Sequence, residues 1–165
     1  MINRDKAEKV IKAFTQEKLT LGSVESLTAG LFASTLCSIP GASKVFRGGL
    51  VTYAADLKTK LDNVPERLIR EYGVVSREVA DSMAINGRKT LNTDVCVSFT
   101  GHAGPTKEEG FAPVGRVNMC IATKYGIIEM QQDFDLSRNE MREACVDMML
   151  DRLIAIFEDE FCPFF

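Results

Sequence analysis

The chain has 165 residues, 45% of them hydrophobic and 26% charged, which is the balance of one soluble globular domain and argues against an intrinsically disordered chain. Twenty basic and 23 acidic residues leave a net charge of −3, so no basic excess points to nucleic acid or to an anionic membrane. No apolar run approaches the roughly 20 residues of a membrane span, and Met1 to Lys6 opens a polar helix instead of a signal peptide, so a cytoplasmic protein is expected.

Residues 5–18 place Ala7, Val10, Ile11 and Phe14 at helical spacing. Residues 19–25 read as a short strand ending at Glu25-Ser26, and 27–38 return to a helical pattern through Leu31, Phe32 and Leu36. A loop at 39–43 leads to a β-like run over 45–53, in which Gly48-Gly49 signals a bulge or a close backbone approach. Two short helices follow, one over 54–61 and one opened by Pro65 and ended by Gly73. Ser76 is an N-cap for a helix to about Leu91, with Val79, Ala80, Met83 and Ala84 inward. A strand over 94–100 and a polar loop over 101–113 precede a hairpin, 114–123 and 127–134, that turns at Lys124-Tyr125-Gly126. Ser137 and Glu140 form a capping box ahead of a last helix with Met141, Ala144, Cys145, Met148, Leu153 and Phe157 on its apolar face.

This succession implies an α/β fold with helices on both faces of one sheet, and the late hairpin makes the sheet mixed. No repeat or linker divides the chain, so residues 1–165 read as a single domain. The apolar Cys162-Pro163-Phe164-Phe165 terminus either tucks into the core or a partner, or frays. The five cysteines are odd in number and contain no C-x-x-C, and Cys96 and Cys120 sit in apolar runs as small core residues. With His102 the sole histidine, no metal site is expected.

Ligands on open α/β sheets gather at the carboxyl ends of the strands, where three segments converge. In Val24-Glu25-Ser26-Leu27-Thr28-Ala29-Gly30 a strand runs into a serine and then a helix. Ser26 or Thr28 is either an ordinary N-cap, or Ser26 is a hydroxyl exposed beside unpaired N–H groups able to hold an oxyanion or a phosphate. In Val51-Thr52-Tyr53-Ala54-Ala55-Asp56-Leu57-Lys58 the lysine is either a solvated charge or, if buried, a base for a serine nucleophile. Ser98 to Pro105 is either a tight loop or a close backbone approach to a ligand, and His102 in it is a further candidate base to Ser26.

Together these segments resemble the CinA C-terminal domain family, whose characterised members are nicotinamide mononucleotide deamidases. The likeness runs from about Ala7 to Phe157. It is carried by Glu25-Ser26-Leu27-Thr28-Ala29-Gly30 for E-S-x-T-G-G, by Val51-Thr52-Tyr53 with Lys58, by Gly73-Val74-Val75-Ser76 for G-x-V-S, by Ser98 through Pro105, and by Pro113-Val114-Gly115. The resemblance implies a three-layer α/β/α fold with a mixed, mostly parallel sheet. It implies a homo-oligomeric amidohydrolase of stand-alone form, needing no cofactor and acting on a small pyridine nucleotide to release nicotinate mononucleotide and ammonia.

By the same resemblance Ser26 becomes the nucleophile and Lys58 its base, with Tyr53 assisting. Glu25, Thr28, Ala29, Gly30, Thr100, Gly101, Ala103 and Gly104 become substrate-binding residues, their backbone N–H groups including the oxyanion donors. Arg138 and Arg142 are the candidate cations for a 5′-phosphate, or else form a solvated helix face. The chain departs from the motifs at Ala29, where the family has glycine, at His102, along 106–110 and at Ala112. An inactive relative serving as a nucleotide-binding or protein-interaction module is the alternative function.

Overall fold

The computed structural model describes residues 3–106, 112–159 and 162. The strands are β1 (Leu21–Glu25), β2 (Phe46–Val51), β3 (Val95–Gly101), β4 (Arg116–Thr123) and β5 (Gly126–Asp133). The helices are α1 (Arg4–Gln16), α2 (Leu31–Cys37), α3 (Ala55–Asp62), α4 (Glu66–Tyr72), α5 (Arg77–Leu91) and α6 (Arg138–Glu158), with a 3-10 turn at Ala42–Lys44.

One sheet of five strands carries the order β2-β1-β3-β4-β5. β1 pairs in parallel with both β2 and β3, whereas β4 runs antiparallel to β3 and to β5, so only β4 opposes the other strands. The mixed, mostly parallel sheet is therefore as the resemblance implied. Between β1 and β2 the register slips, Leu21 facing Phe46 and Gly22 facing Gly48, which leaves Arg47 as the bulged residue at the glycine pair.

Period-two alternation divides the sheet's side chains into two cores. Leu21, Val95, Val97, Phe99, Val117, Met119 and Ile121 pack on the face covered by α1, α2 and α6. Two ring pairs lock that face, Phe14 against Phe157 at 5.0 Å and Phe32 against Phe99 at 5.3 Å. Val24 and Cys96 meet Val64, Val79 and Met83 on the other face, and Cys120 and Ala122 meet Ala80 and Ala84. Each fully buried Val, Leu, Ile, Phe or Met contributes about 1.5–3 kcal/mol by leaving water. α5 lies so close to β1 that a Cβ on Gly87 would collide with Val24 and Cys96.

The caps read from sequence are present. Ser76 Oγ accepts from Val79 N–H at 3.2 Å, and the Ser137 N–H donates to Glu140 Oε2 at 3.2 Å. Cys96, Cys120, Cys145 and Cys162 are buried free thiols, and Cys37 is exposed. Of the terminal segment, Cys162 alone lies among the described residues, and it is buried.

One boundary differs by more than two residues from the sequence expectation. The helix expected from Leu27 begins at Leu31, because Ala29 (φ +48°) and Gly30 (φ +93°) are both left-handed and turn the chain out of β1 before it coils. Neither Ser26 nor Thr28 caps α2; its N-cap is Gly30. The Glu25 carboxylate takes over, accepting from Phe32 N–H at 2.9 Å and Ala33 N–H at 3.1 Å.

Asp62 ends α3 fully buried, and neither carboxyl oxygen has a hydrogen-bond partner among the described residues. Burial pushes its pKa up to about 8. Asp81, half-buried and beside the Glu129 carboxylate, is pushed up to about 7 by partial burial and by that neighbour. Each acid thus holds its proton in the native state over a range where the unfolded chain has released it. Their contribution to stability is complete below about pH 4 and is lost as pH rises through those raised values. Denaturant unfolding is expected to show a loss of a few kcal/mol between pH 5 and pH 8. In Asp62→Asn only the Asp81 part of that decline should remain, ending near pH 7.

Candidate active site

The carboxyl ends of β1, β2 and β3 open into a cleft of about 700 Å³. Ser26 stands directly after β1, its N–H donating to the Phe99 carbonyl on β3 at 2.9 Å. On the other side the Thr52 N–H donates to the Glu25 carbonyl at 2.9 Å. Sheet hydrogen bonding therefore continues past the strand ends and fixes both segments.

Lys58 projects from α3 into this frame and is 1% exposed. Its Nζ lies 3.0 Å from Ser26 Oγ, 2.6 Å from the Thr52 carbonyl oxygen and 3.5 Å from that of Tyr53. No carboxylate is among these partners, so burial acts unopposed and lowers the Lys58 pKa to about 8. A neutral amine has two N–H donors and one lone pair. The two main-chain carbonyls accept the donors, which leaves the lone pair for the Ser26 hydroxyl.

Tyr53 lines the cleft but stands 56% exposed, and its phenol oxygen accepts from Arg138 Nη2 at 2.8 Å. Arg138 also lines the cleft and donates through Nη1 to the Gly104 carbonyl at 2.8 Å. This one guanidinium thus joins the end of β2, the loop after β3 and the first turn of α6. Thr100, Gly101, Ala103 and Gly104 form the neighbouring wall, as does His102. Thr100 Oγ1 donates to the Val74 carbonyl at 2.6 Å and so ties β3 to the α4–α5 connection.

Five of the residues singled out from sequence do not line the cleft: Glu25, Thr28, Ala29, Gly30 and Arg142. Glu25 is 1% exposed and its carboxylate is engaged by α2 and by Ser23 Oγ at 2.9 Å. Arg142 donates from Nε to the Leu27 carbonyl at 2.9 Å and from Nη2 to that of Thr28 at 3.1 Å. Its guanidinium faces the back of the turn and is neither a solvated surface charge nor turned to the cleft. Of the altered stretch at 106–110, Thr106 lines the cleft, as does Ala112, and residues 107–110 lie outside the described residues. Among the described residues no group of three or more His, Cys, Asp and Glu is placed to hold a metal.

Sequence reasoning missed the opposite wall, built by Ala55, Ile69, Val74 and Val75. Its traces were the Gly73-Val74-Val75-Ser76 motif, to which no role was attached, and punctuation. Gly73 stopping a helix three residues before the Ser76 cap marks a tight connection, and nothing in that pattern says that a ligand faces it.

Ala29 carries a conformational cost, since a Cβ at φ +48° crowds its own backbone. Ala29→Gly is expected to raise stability by about 0.5–1 kcal/mol, strain relief exceeding the entropy of the freer unfolded chain. A higher thermal midpoint checks it; an unchanged or lower midpoint would mean the turn holds no strain.

Comparison with known proteins follows the same outline. A family model described as the CinA C-terminal domain matches residues 3–157. A CinA-like protein of Prochlorococcus marinus is 40% identical over 152 residues, covering 89% of this chain and 35% of the relative. The crystal structure of the competence/damage inducible protein CihA from Agrobacterium tumefaciens matches with a TM-score of 0.88 at 32% identity, over 94% of this chain and 95% of that one. A CinA superfamily protein from Escherichia coli matches with a TM-score of 0.84 at 28% identity, over 93% and 97% of the two chains. This chain spans about a third of the length of the curated relatives it matches.

Proposed function

The chain belongs to the CinA C-terminal domain family, and from that premise we propose that it is an amidohydrolase that cleaves the carboxamide of nicotinamide mononucleotide through Ser26 and Lys58. The observation that carries the reading is the buried contact of 3.0 Å between Lys58 Nζ and Ser26 Oγ, with no carboxylate among the hydrogen-bond partners of the amine. The pyridine nucleotide itself comes from the sequence resemblance; the cleft supports it by volume and by polar groups at its rim.

In this scheme neutral Lys58 takes the hydroxyl proton of Ser26 as Oγ bonds to the amide carbon. The carbonyl π electrons move onto oxygen, and main-chain N–H groups after Ser26 hold that oxyanion. Collapse of the adduct breaks the C–N bond, and the leaving nitrogen takes the proton from the Lys58 ammonium and departs as ammonia. Lys58 then deprotonates a water that attacks the ester. When the ester breaks, Lys58 returns the proton to Ser26. Tyr53 acts through its hydrogen bond to Arg138, which keeps that guanidinium at the rim of the cleft beside Gly104. Arg138 is accordingly the cleft-lining cation we assign to the substrate phosphate, and Arg142 is not.

Burial suits Lys58 to this role. A lysine at its ordinary pKa is almost wholly protonated near neutrality, whereas one at about 8 keeps on the order of a tenth of its population neutral at pH 7. The rate should therefore climb about tenfold per pH unit below pH 7 and level off above about pH 9. Ser26→Ala should abolish ammonia release from nicotinamide mononucleotide while the thermal midpoint stays within a few degrees. Lys58→Met should lower release by orders of magnitude, and any residual rate should lack the alkaline rise. Full turnover by Ser26→Ala would end the proposal.

A further inference from the structure

The turn between Ser26 and α2 is governed by one side chain outside the cleft. Arg142 binds the carbonyls of Leu27 and Thr28 together, through separate nitrogens of a rigid planar fork. A trans peptide is planar, with its C=O and the following N–H on opposite sides. Holding the Leu27 carbonyl therefore points the Thr28 N–H away from the guanidinium. Holding the Thr28 carbonyl likewise sets the Ala29 N–H, which donates to the Ser26 carbonyl at 3.0 Å. That bond in turn sets the peptide bearing the Leu27 N–H. The Thr28 carbonyl also accepts from Leu31 N–H at 2.9 Å, so the guanidinium shares that carbonyl with the first turn of α2 and adds its own hold on the carbonyl of Leu27.

The consequence lies in the donors left over. Ser26 N–H and Ala29 N–H are spent on Phe99 and Ser26 carbonyls. Leu27 N–H and Thr28 N–H donate to no acceptor among the described residues. Leu27 lines the cleft, immediately after the hydroxyl that contacts Lys58. An amide one residue beyond a nucleophile, unspent and fixed in direction, suits a developing oxyanion, because it needs no reorganisation when charge appears.

We infer that Arg142 is a positioning residue for the reaction proposed above: it touches no substrate and, by fixing the turn, presets the cleft-side Leu27 N–H as an oxyanion donor. The inference rests on the hydrolase reading. It also separates the two arginines of α6 that share a helical face, Arg138 reaching the cleft and Arg142 the back of the turn.

Arg142→Lys and Arg142→Met, made in the full chain, test it with two substrates, nicotinamide mononucleotide and its dephosphorylated riboside. Donors used only in the transition state act on kcat. Arg142→Met should lower kcat by about 10²-fold with both substrates and change KM less than about threefold. Arg142→Lys, which keeps the charge but not the fork, should regain part of the rate. The thermal midpoints identify damage to the fold, and Arg142→Lys carries the test should the methionine variant fail to fold. A loss seen only with the phosphorylated substrate, and mainly in KM, would make Arg142 a phosphate ligand and overturn the inference. An unchanged kcat in folded variants would overturn it too.

A fluorophosphonate, whose phosphoryl oxygen needs the same donors, separates this failure from that of the hydrolase reading. If mass spectrometry shows Ser26 labelled in the wild-type chain and labelled as fast in Arg142→Met, only the Arg142 assignment falls. If the wild-type chain is neither labelled nor releases ammonia, the hydrolase reading falls and takes the positioning role with it.

Discussion

A lysine amine removed from water must be given partners or lose its proton, and the candidate site is organised around that constraint. Lys58 is 1% exposed and meets two carbonyl oxygens and one hydroxyl. Replacing a hydrated ammonium by these neutral groups makes deprotonation easier. The same burial that costs stability therefore supplies a base. The sheet makes the arrangement possible, since parallel β1 and β2 end side by side and bring Ser26 and Thr52 to neighbouring positions.

Around this centre the structure divides its work between cleft and scaffold. Arg138 bridges Tyr53 and Gly104 at the rim. Glu25 and Arg142 operate behind the wall, on the α2 amides and the turn carbonyls respectively. Two charged side chains that look like ligand contacts by sequence are thus spent on main-chain groups. Their charge stabilises a backbone conformation that local propensity opposes, namely two successive left-handed residues of which one is alanine.

The layered fold was legible because its signals are local and periodic. The inward positions of α5, the capping box of α6 and the bulge beside the Gly48-Gly49 pair all follow from spacing or from single-residue conformational rules. Ser26, Tyr53 and Lys58 were legible as motif positions, and they do share one cleft. The start of α2 was misplaced because Leu27 and Thr28 fit a helical pattern, whereas the deciding factors, the φ of Ala29 and the distant carboxylate of Glu25, leave no periodic trace. Arg142 was grouped with Arg138 as a candidate phosphate cation for a related reason. Spacing puts Arg138 and Arg142 on one face of α6, but it cannot say that a turn from the other end of the chain fills the space before one of them. The α4–α5 connection was legible as the Gly73–Ser76 motif but not as a wall, because loop closure alone brings it over the cleft.

The polar environment of Lys58 is supplied largely by main-chain oxygen, at Thr52 and Tyr53. Every amino acid brings that atom, so no substitution at either position can delete it. Genetic drift can rewrite the side chains of this neighbourhood while the electrostatic address of the amine persists. Divergent chains of this architecture are better sorted by whether a serine and a lysine still meet there than by how many surrounding letters agree.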